Sequence, residues 1–152
     1  MSVAFRRESD EEHLEPRFEL PLPKGPNLVT ERGLALINER IAALTDEQAG
    51  AEEPRASEIA RELRYWNTRR VTAVVAPRPP ADEVAFGSRV RFRLNGKEQE
   101  IVIVGDDEAD PAAGKIAFSA PLVRALLGGA ADEVVPFNGR DDAITILDVR
   151  PD

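Results

Sequence analysis

The side chains with the most chemical potential in this chain are carboxylates. Asp106, Glu108 and Asp110 stand at alternate positions, with Asp107 between them, and that spacing opens a calcium-binding loop. Such a loop needs Gly at its sixth position for the turn and a bidentate Glu at its twelfth, where this chain has Pro111 and Ala117. The run therefore reads as a solvated acidic turn and not as a dedicated metal site. A second acidic group, Asp46, Glu47, Glu52 and Glu53, surrounds a break made by Gly50 and Pro54. Nucleophilic chemistry finds no support: Ser119 has no base nearby in sequence, and the single histidine, His13, lies in an acidic stretch, so neither a triad nor a histidine metal cluster can be built. The chain has no cysteine, which excludes thiol catalysis, a Cys-ligated zinc site and a disulfide framework together. There is no glycine-rich phosphate loop and no GxSxG elbow, and Gly128-Gly129 reads as a helix stop. No catalytic residue, metal ligand or cofactor site is assigned, and an isolated enzyme is the least supported class.

Composition narrows the partners. The formal net charge of −8 gives no electrostatic footprint for wrapping nucleic acid, whose affinity rests on Lys and Arg neutralising phosphates, so contacts are expected with protein and not sequence-specifically with DNA or RNA. With 152 residues, 42% apolar and 5% aromatic, the chain can build one ordinary domain or two small ones around an aliphatic core. The N-terminal MSVAFRRESDEEH lacks the apolar run of a signal peptide, and no stretch approaches the ~20 apolar residues of a membrane helix. A cytoplasmic location is expected.

The elements that must position these residues follow from periodicity and punctuation. Residues 1–27 combine Glu8, Asp10, Glu11 and Glu12 with four prolines and read as an extended, acidic, Pro-rich arm, although Phe5, Leu14, Phe18, Leu20 and Leu22 leave open a segment that folds against the body or a partner. Thr30 is an N-cap candidate followed by Leu34, Ile37, Ile41 and Leu44, one heptad stripe. A second stripe runs through Ile59, Leu63, Trp66 and Val71. Two such helices joined by a short loop pack antiparallel to hide their stripes, which places Asp46, Glu47, Glu52 and Glu53 at the tip. A helical hairpin is expected over 28–76 and a proline-rich linker over 77–82. From 83 to 152 the pattern is that of a small sheet domain. Val90, Phe92 and Leu94 alternate with Arg89, Arg91 and Arg93, and Asn95-Gly96 marks a hairpin turn before the apolar run Ile101 to Val104. Further strands are expected at 115–119, 133–137 and 143–149, with a helix from Pro121 to Leu127 that carries proline in its first turn. The arginine stripe is either a solvated sheet face or a surface for acid on a partner.

Two motifs carry a family resemblance. Ile103-Val104-Gly105-Asp106-Asp107-Glu108-Ala109-Asp110, followed at the right interval by Arg124-Ala125-Leu126-Leu127-Gly128, resembles the C-terminal domain of the bacterial Gre transcript cleavage factors, the GreA/GreB family. The resemblance covers about 120 residues from Asn27 onward and implies an α+β architecture: an N-terminal antiparallel helical hairpin, a short coiled coil, plus a C-terminal β-sheet domain like that of the FK506-binding proteins with one short helix. It implies no isomerase activity. It does imply docking on RNA polymerase, with Asp106, Asp107, Asp110, Ser119, Pro121 and Arg124 as the partner-binding residues. The family's usual Ser-Pro before the docking helix is Ala120-Pro121 here, with Ser119 displaced by one position.

In cleavage-competent members the hairpin enters the polymerase secondary channel, and acids in a DLSENAEY tip motif help hold a catalytic magnesium. This chain has no copy of that motif, and its hairpin is shorter by roughly two dozen residues, on the order of 18 Å of reach. The resemblance thus implies a polymerase-binding regulator of elongation that docks at the secondary channel and is not itself an enzyme. At most it stimulates the polymerase's own RNA cleavage. The short hairpin is also reminiscent of Rnk, which leaves a Rnk-like regulator of nucleoside diphosphate kinase, or a general protein-interaction adaptor, as the alternatives.

Overall fold

The computed structural model describes residues 19–152. The acidic cluster Glu8 to Glu12, with His13, Phe5, Leu14 and Phe18, lies outside the described residues. The element order is β1 (Leu28–Val29), α1 (Glu31–Gln48), α2 (Arg55–Thr72), β2 (Val74–Val75), β3 (Ser88–Leu94), β4 (Lys97–Val104), a 3-10 turn (Pro111–Ala113), β5 (Lys115–Ala117), α3 (Pro121–Leu126), β6 (Val134–Phe137) and β7 (Arg140–Pro151). The fold is α+β, two N-terminal helices followed by a five-stranded sheet. Chain contacts divide the described residues into two compact units, one of residues 19–25 and 37–72 and one of residues 26–36 and 73–152. No helix among the described residues is long and apolar enough to cross a membrane.

In the helical unit, Ile37, Leu44 and Ile59 are buried, which is why an apolar residue recurs about once per turn. The helices run antiparallel, because Arg55 reaches back to Glu47 at the tip while Arg40 lies 5.9 Å over the Trp66 ring nearer the base. Trp66 is half-buried and meets Tyr65 edge-on at 5.0 Å. One expected stripe member is misplaced. Val71 is 76% exposed, while Arg69 is 4% exposed. The reason is geometric: five residues past Trp66 is ~500° around a helix, about 140° off the stripe, whereas three residues past it returns to the buried side. Residues 19–25 form neither helix nor strand, and Glu19 pairs with Arg64 of α2 at 2.6 Å.

In the other unit the sheet order is β5-β4-β3-β7-β6. Asn95 and Gly96 both take positive φ, 53° and 74°, and close the β3–β4 hairpin as their types require. A second such turn, Asn138 and Gly139 at φ 50° and 80°, joins β6 to β7. Val90, Phe92, Ile101, Ile103, Ile144 and Ile146 form the centre of the core, and α3 closes over it with Val123 and Leu126. The α3 segment starts on Pro121 and stops where Gly128, at φ 79°, donates its N–H to the Val84 carbonyl. On the opposite side of β3 two of the three arginines are paired, Arg89 with Glu100 and Asp152 at 2.7 and 2.6 Å and Arg91 with Glu98 at 2.7 Å, while Arg93 is exposed. The sequence signals give no hint of the two-stranded parallel pair β1–β2, Leu28 opposite Val74 and Val29 opposite Val75. Gly105 explains part of its placement, since a Cβ there would collide with the Leu28 carbonyl oxygen, and only glycine lets β1 approach the end of β4.

Candidate functional site

The acidic turn is built where β4 ends. Asp106 and Asp107 are half-buried, and Asp110 is exposed. Asp106 Oδ1 accepts a hydrogen bond of 2.7 Å from the Ser119 hydroxyl, which ties the turn to the residues leading into α3. Asp110 closes on a different neighbour, exchanging backbone bonds with Lys115 at 2.8 and 3.0 Å. Pro121 and Arg124 are exposed, and their spacing of three puts them on one face of α3. Of the six expected residues, the structure joins Asp106 to Ser119 directly, keeps Asp107 beside Asp106 in the turn, carries Pro121 and Arg124 on the adjoining helix, and turns Asp110 toward β5.

Glu108, read in the sequence as one more solvated carboxylate, is buried: its side chain is 5% exposed. One oxygen accepts from the Thr30 hydroxyl, and the other faces the Lys115 ammonium at 4.0 Å. Thr30 in turn accepts from the Gly33 N–H at 2.9 Å, so the same hydroxyl caps α1 and satisfies a buried acid. No local signal reveals this, because the two partners are 78 residues apart.

At the hairpin tip the four acids have separate fates. Glu47 holds the Arg55 guanidinium through both oxygens, at 2.6 and 2.9 Å. Arg55 also reaches Glu58 at 3.3 Å and Glu62 at 3.0 Å. This fork holds the Glu47 carboxyl below the usual carboxylate range, with the hydrogen bonds from Arg55 as the main cause, and raises the Arg55 guanidinium further above neutrality. Glu53 accepts from the Ser57 hydroxyl at 2.6 Å. Asp46 and Glu52 are exposed. Among the described residues, no three of His, Cys, Asp or Glu converge closely enough to hold a metal ion.

Residues 79–151 match the family described as transcription elongation factor GreA/GreB, C-terminal. The transcription elongation factor GreB of Neisseria meningitidis serogroup A is 39% identical over 103 residues, 63% of this chain and 63% of that protein, so the chain spans less than two thirds of that relative's length. The transcription elongation factor GreB of Yersinia pestis is 36% identical over 118 residues, 72% of this chain and 69% of that protein. A solved structure, the prokaryotic transcription elongation factor GreA/GreB from Nitrosomonas europaea, aligns at 22% identity and a TM-score of 0.39 over 81% of this chain and 98% of that one. The match to the Yersinia relative runs well beyond the sheet domain and takes in helical sequence as well, and on that breadth the chain belongs to the GreA/GreB family of transcription elongation factors.

Proposed function

We propose that the protein binds RNA polymerase through the face formed by the acidic turn and α3, and modulates elongation by occupying the mouth of the secondary channel without delivering a catalytic metal. Family membership supports polymerase as the partner. The observation that carries the second half is Arg55. A cation already sits between the oxygens of Glu47 and extends to Glu58 and Glu62, so Glu47 is committed to Arg55 and is not free to receive a metal ion. Reach argues the same way, since α1 and α2 are 18 residues each and span ~27 Å at ~1.5 Å per residue. On the docking face, the Asp106–Ser119 bond fixes the turn against the start of α3, so that Pro121 and Arg124 present a preformed surface.

The experiment is transcript cleavage in a stalled, backtracked elongation complex of the cognate polymerase, with binding measured on the same sample. Binding without accelerated cleavage is expected. Replacing Asp106, Asp107 and Arg124 together by Ala is expected to weaken binding at least about tenfold, and unchanged affinity would remove these residues from the interface. Cleavage that depends on Glu47, Glu52 or Glu53 would overturn the non-cleaving reading.

A further inference from the structure

We propose that a cleft on the far side of β4 from α3 is a binding site for a small organic anion, an apolar body bearing a phosphate or carboxylate. The end of β4 carries an apolar run that does not alternate. Ile101, Val102, Ile103 and Val104 are all buried, although successive side chains of a strand point to opposite faces. Ile101 and Ile103 join the core under α3. Val102 and Val104 instead line a cleft of about 380 Å³, whose walls are Pro77, Pro79 and Phe86. That volume lies within the ~300–1,000 Å³ typical of small-molecule sites.

The cleft's charge decides what enters it. Arg32, Arg78 and Lys115 line it, together with Glu31, Glu108 and Asp152. Two of these acids are already engaged. Glu108 accepts from Thr30 and faces Lys115, and Asp152 accepts from Arg89 at 3.1 and 2.6 Å. Arg32 and Arg78 make no hydrogen bond or ion pair among the described residues, and Lys115 stands 4.0 Å from Glu108, too far for a hydrogen bond, with donors to spare. With Lys115 set against Glu108 and Asp152 against Arg89, the lining groups left without a partner among the described residues are Arg32 and Arg78 against Glu31, an excess of one positive charge in a chain of net charge −8. Guanidinium forks suit phosphate and carboxylate oxygens. The valine and proline lining gains only when a carbon body displaces water, which separates an organic anion from a bare one.

The test is a nuclear magnetic resonance titration of the full chain with three probes: phenyl phosphate, inorganic phosphate and phenol. Phenyl phosphate is expected to saturate near about 1 mM, moving the amides of Val102, Val104 and Lys115, with each half-probe at least about tenfold weaker. The double variant Arg32→Gln, Arg78→Gln is expected to weaken phenyl phosphate about tenfold while leaving phenol unchanged. If that variant does not fold, Arg78→Gln alone carries the same test. Absence of saturation, indifference to both arginine substitutions, or inorganic phosphate binding as tightly as phenyl phosphate would each overturn the proposal. Polymerase is not needed in the assay, so the result is independent of the function proposed above.

Discussion

Thr30 does two jobs with one hydroxyl, accepting from Gly33 N–H at the start of α1 and donating to the buried Glu108. Thr30→Val keeps the shape and removes both bonds, leaving a carboxylate with 5% exposure short of its donor. The expected loss combines an N-cap of about 1 kcal/mol with about 1–3 kcal/mol for an under-satisfied buried acid. Urea denaturation should read about 2–4 kcal/mol for Thr30→Val, and Thr30→Ser should recover most of it because the hydroxyl returns. A Thr30→Val loss no larger than a cap alone would show that water replaces the threonine at Glu108. The cap was legible in the sequence, since Thr before Glu at the edge of an apolar stripe is a local signal. The buried partner was not, since Glu108 stands in a run of acids that differ only in what the fold brings to them.

At the scale of elements, the behaviour of the hairpin tip with pH follows from Arg55. Glu47 is held below the usual carboxylate range, so its charge, and with it the pairing to Arg55, is fully present above that range. The pairing is lost only as pH falls through the lowered folded value. At neutral pH no dependence is expected. In a carbon-detected titration of the side-chain carboxyls, Glu47 should titrate below the ordinary range, and Arg55→Gln should move its midpoint upward toward it; a midpoint indifferent to Arg55 would mean the fork is not held in solution. Both partners are nearly half exposed, so this contact is a geometric latch and not a large source of stability. The sequence marked the tip acids and the turn but not the latch, because nothing local says which of several nearby carboxylates Arg55 takes. The contrast recurs among the elements. Asn95-Gly96, Pro121 and Gly128 act on their own backbone and were readable. Asn138-Gly139 carries the same signal as the first hairpin turn and could have been read. The β1–β2 pair has two residues per strand and no periodicity, and only its tertiary partner makes it a strand.

Across the whole molecule, the order of the chain separates the proposed docking face from the helices. Residues 37–72 are an insertion between Pro26–Leu36 and Ala73–Asp152, which together form one compact unit. The two ends of the insertion are held together within that unit, where Val74 N–H donates to the Asn27 carbonyl at 2.9 Å and Ala76 N–H to that of Val29 at 3.0 Å. Closing this loop with fewer residues costs no more entropy than the native closure, provided the replacement spans the gap. The retained start of α1, residues 31–36, rises ~9 Å, and a Gly/Ser linker of about ten residues reaches about 17 Å. Replacing 37–72 by that linker should therefore preserve the amide spectrum of β3, β4 and β7. If docking resides in the acidic turn and α3, polymerase affinity should stay within about threefold of the native chain, under 1 kcal/mol, because Asp106, Ser119, Pro121 and Arg124 all lie in the retained unit. On the proposed mechanism the effect on elongation should disappear, since no helices remain to occupy the channel mouth. A variant with its sheet intact that no longer binds polymerase would place part of the interface on the helices, and one that binds and still alters elongation would show that docking alone is the regulatory act.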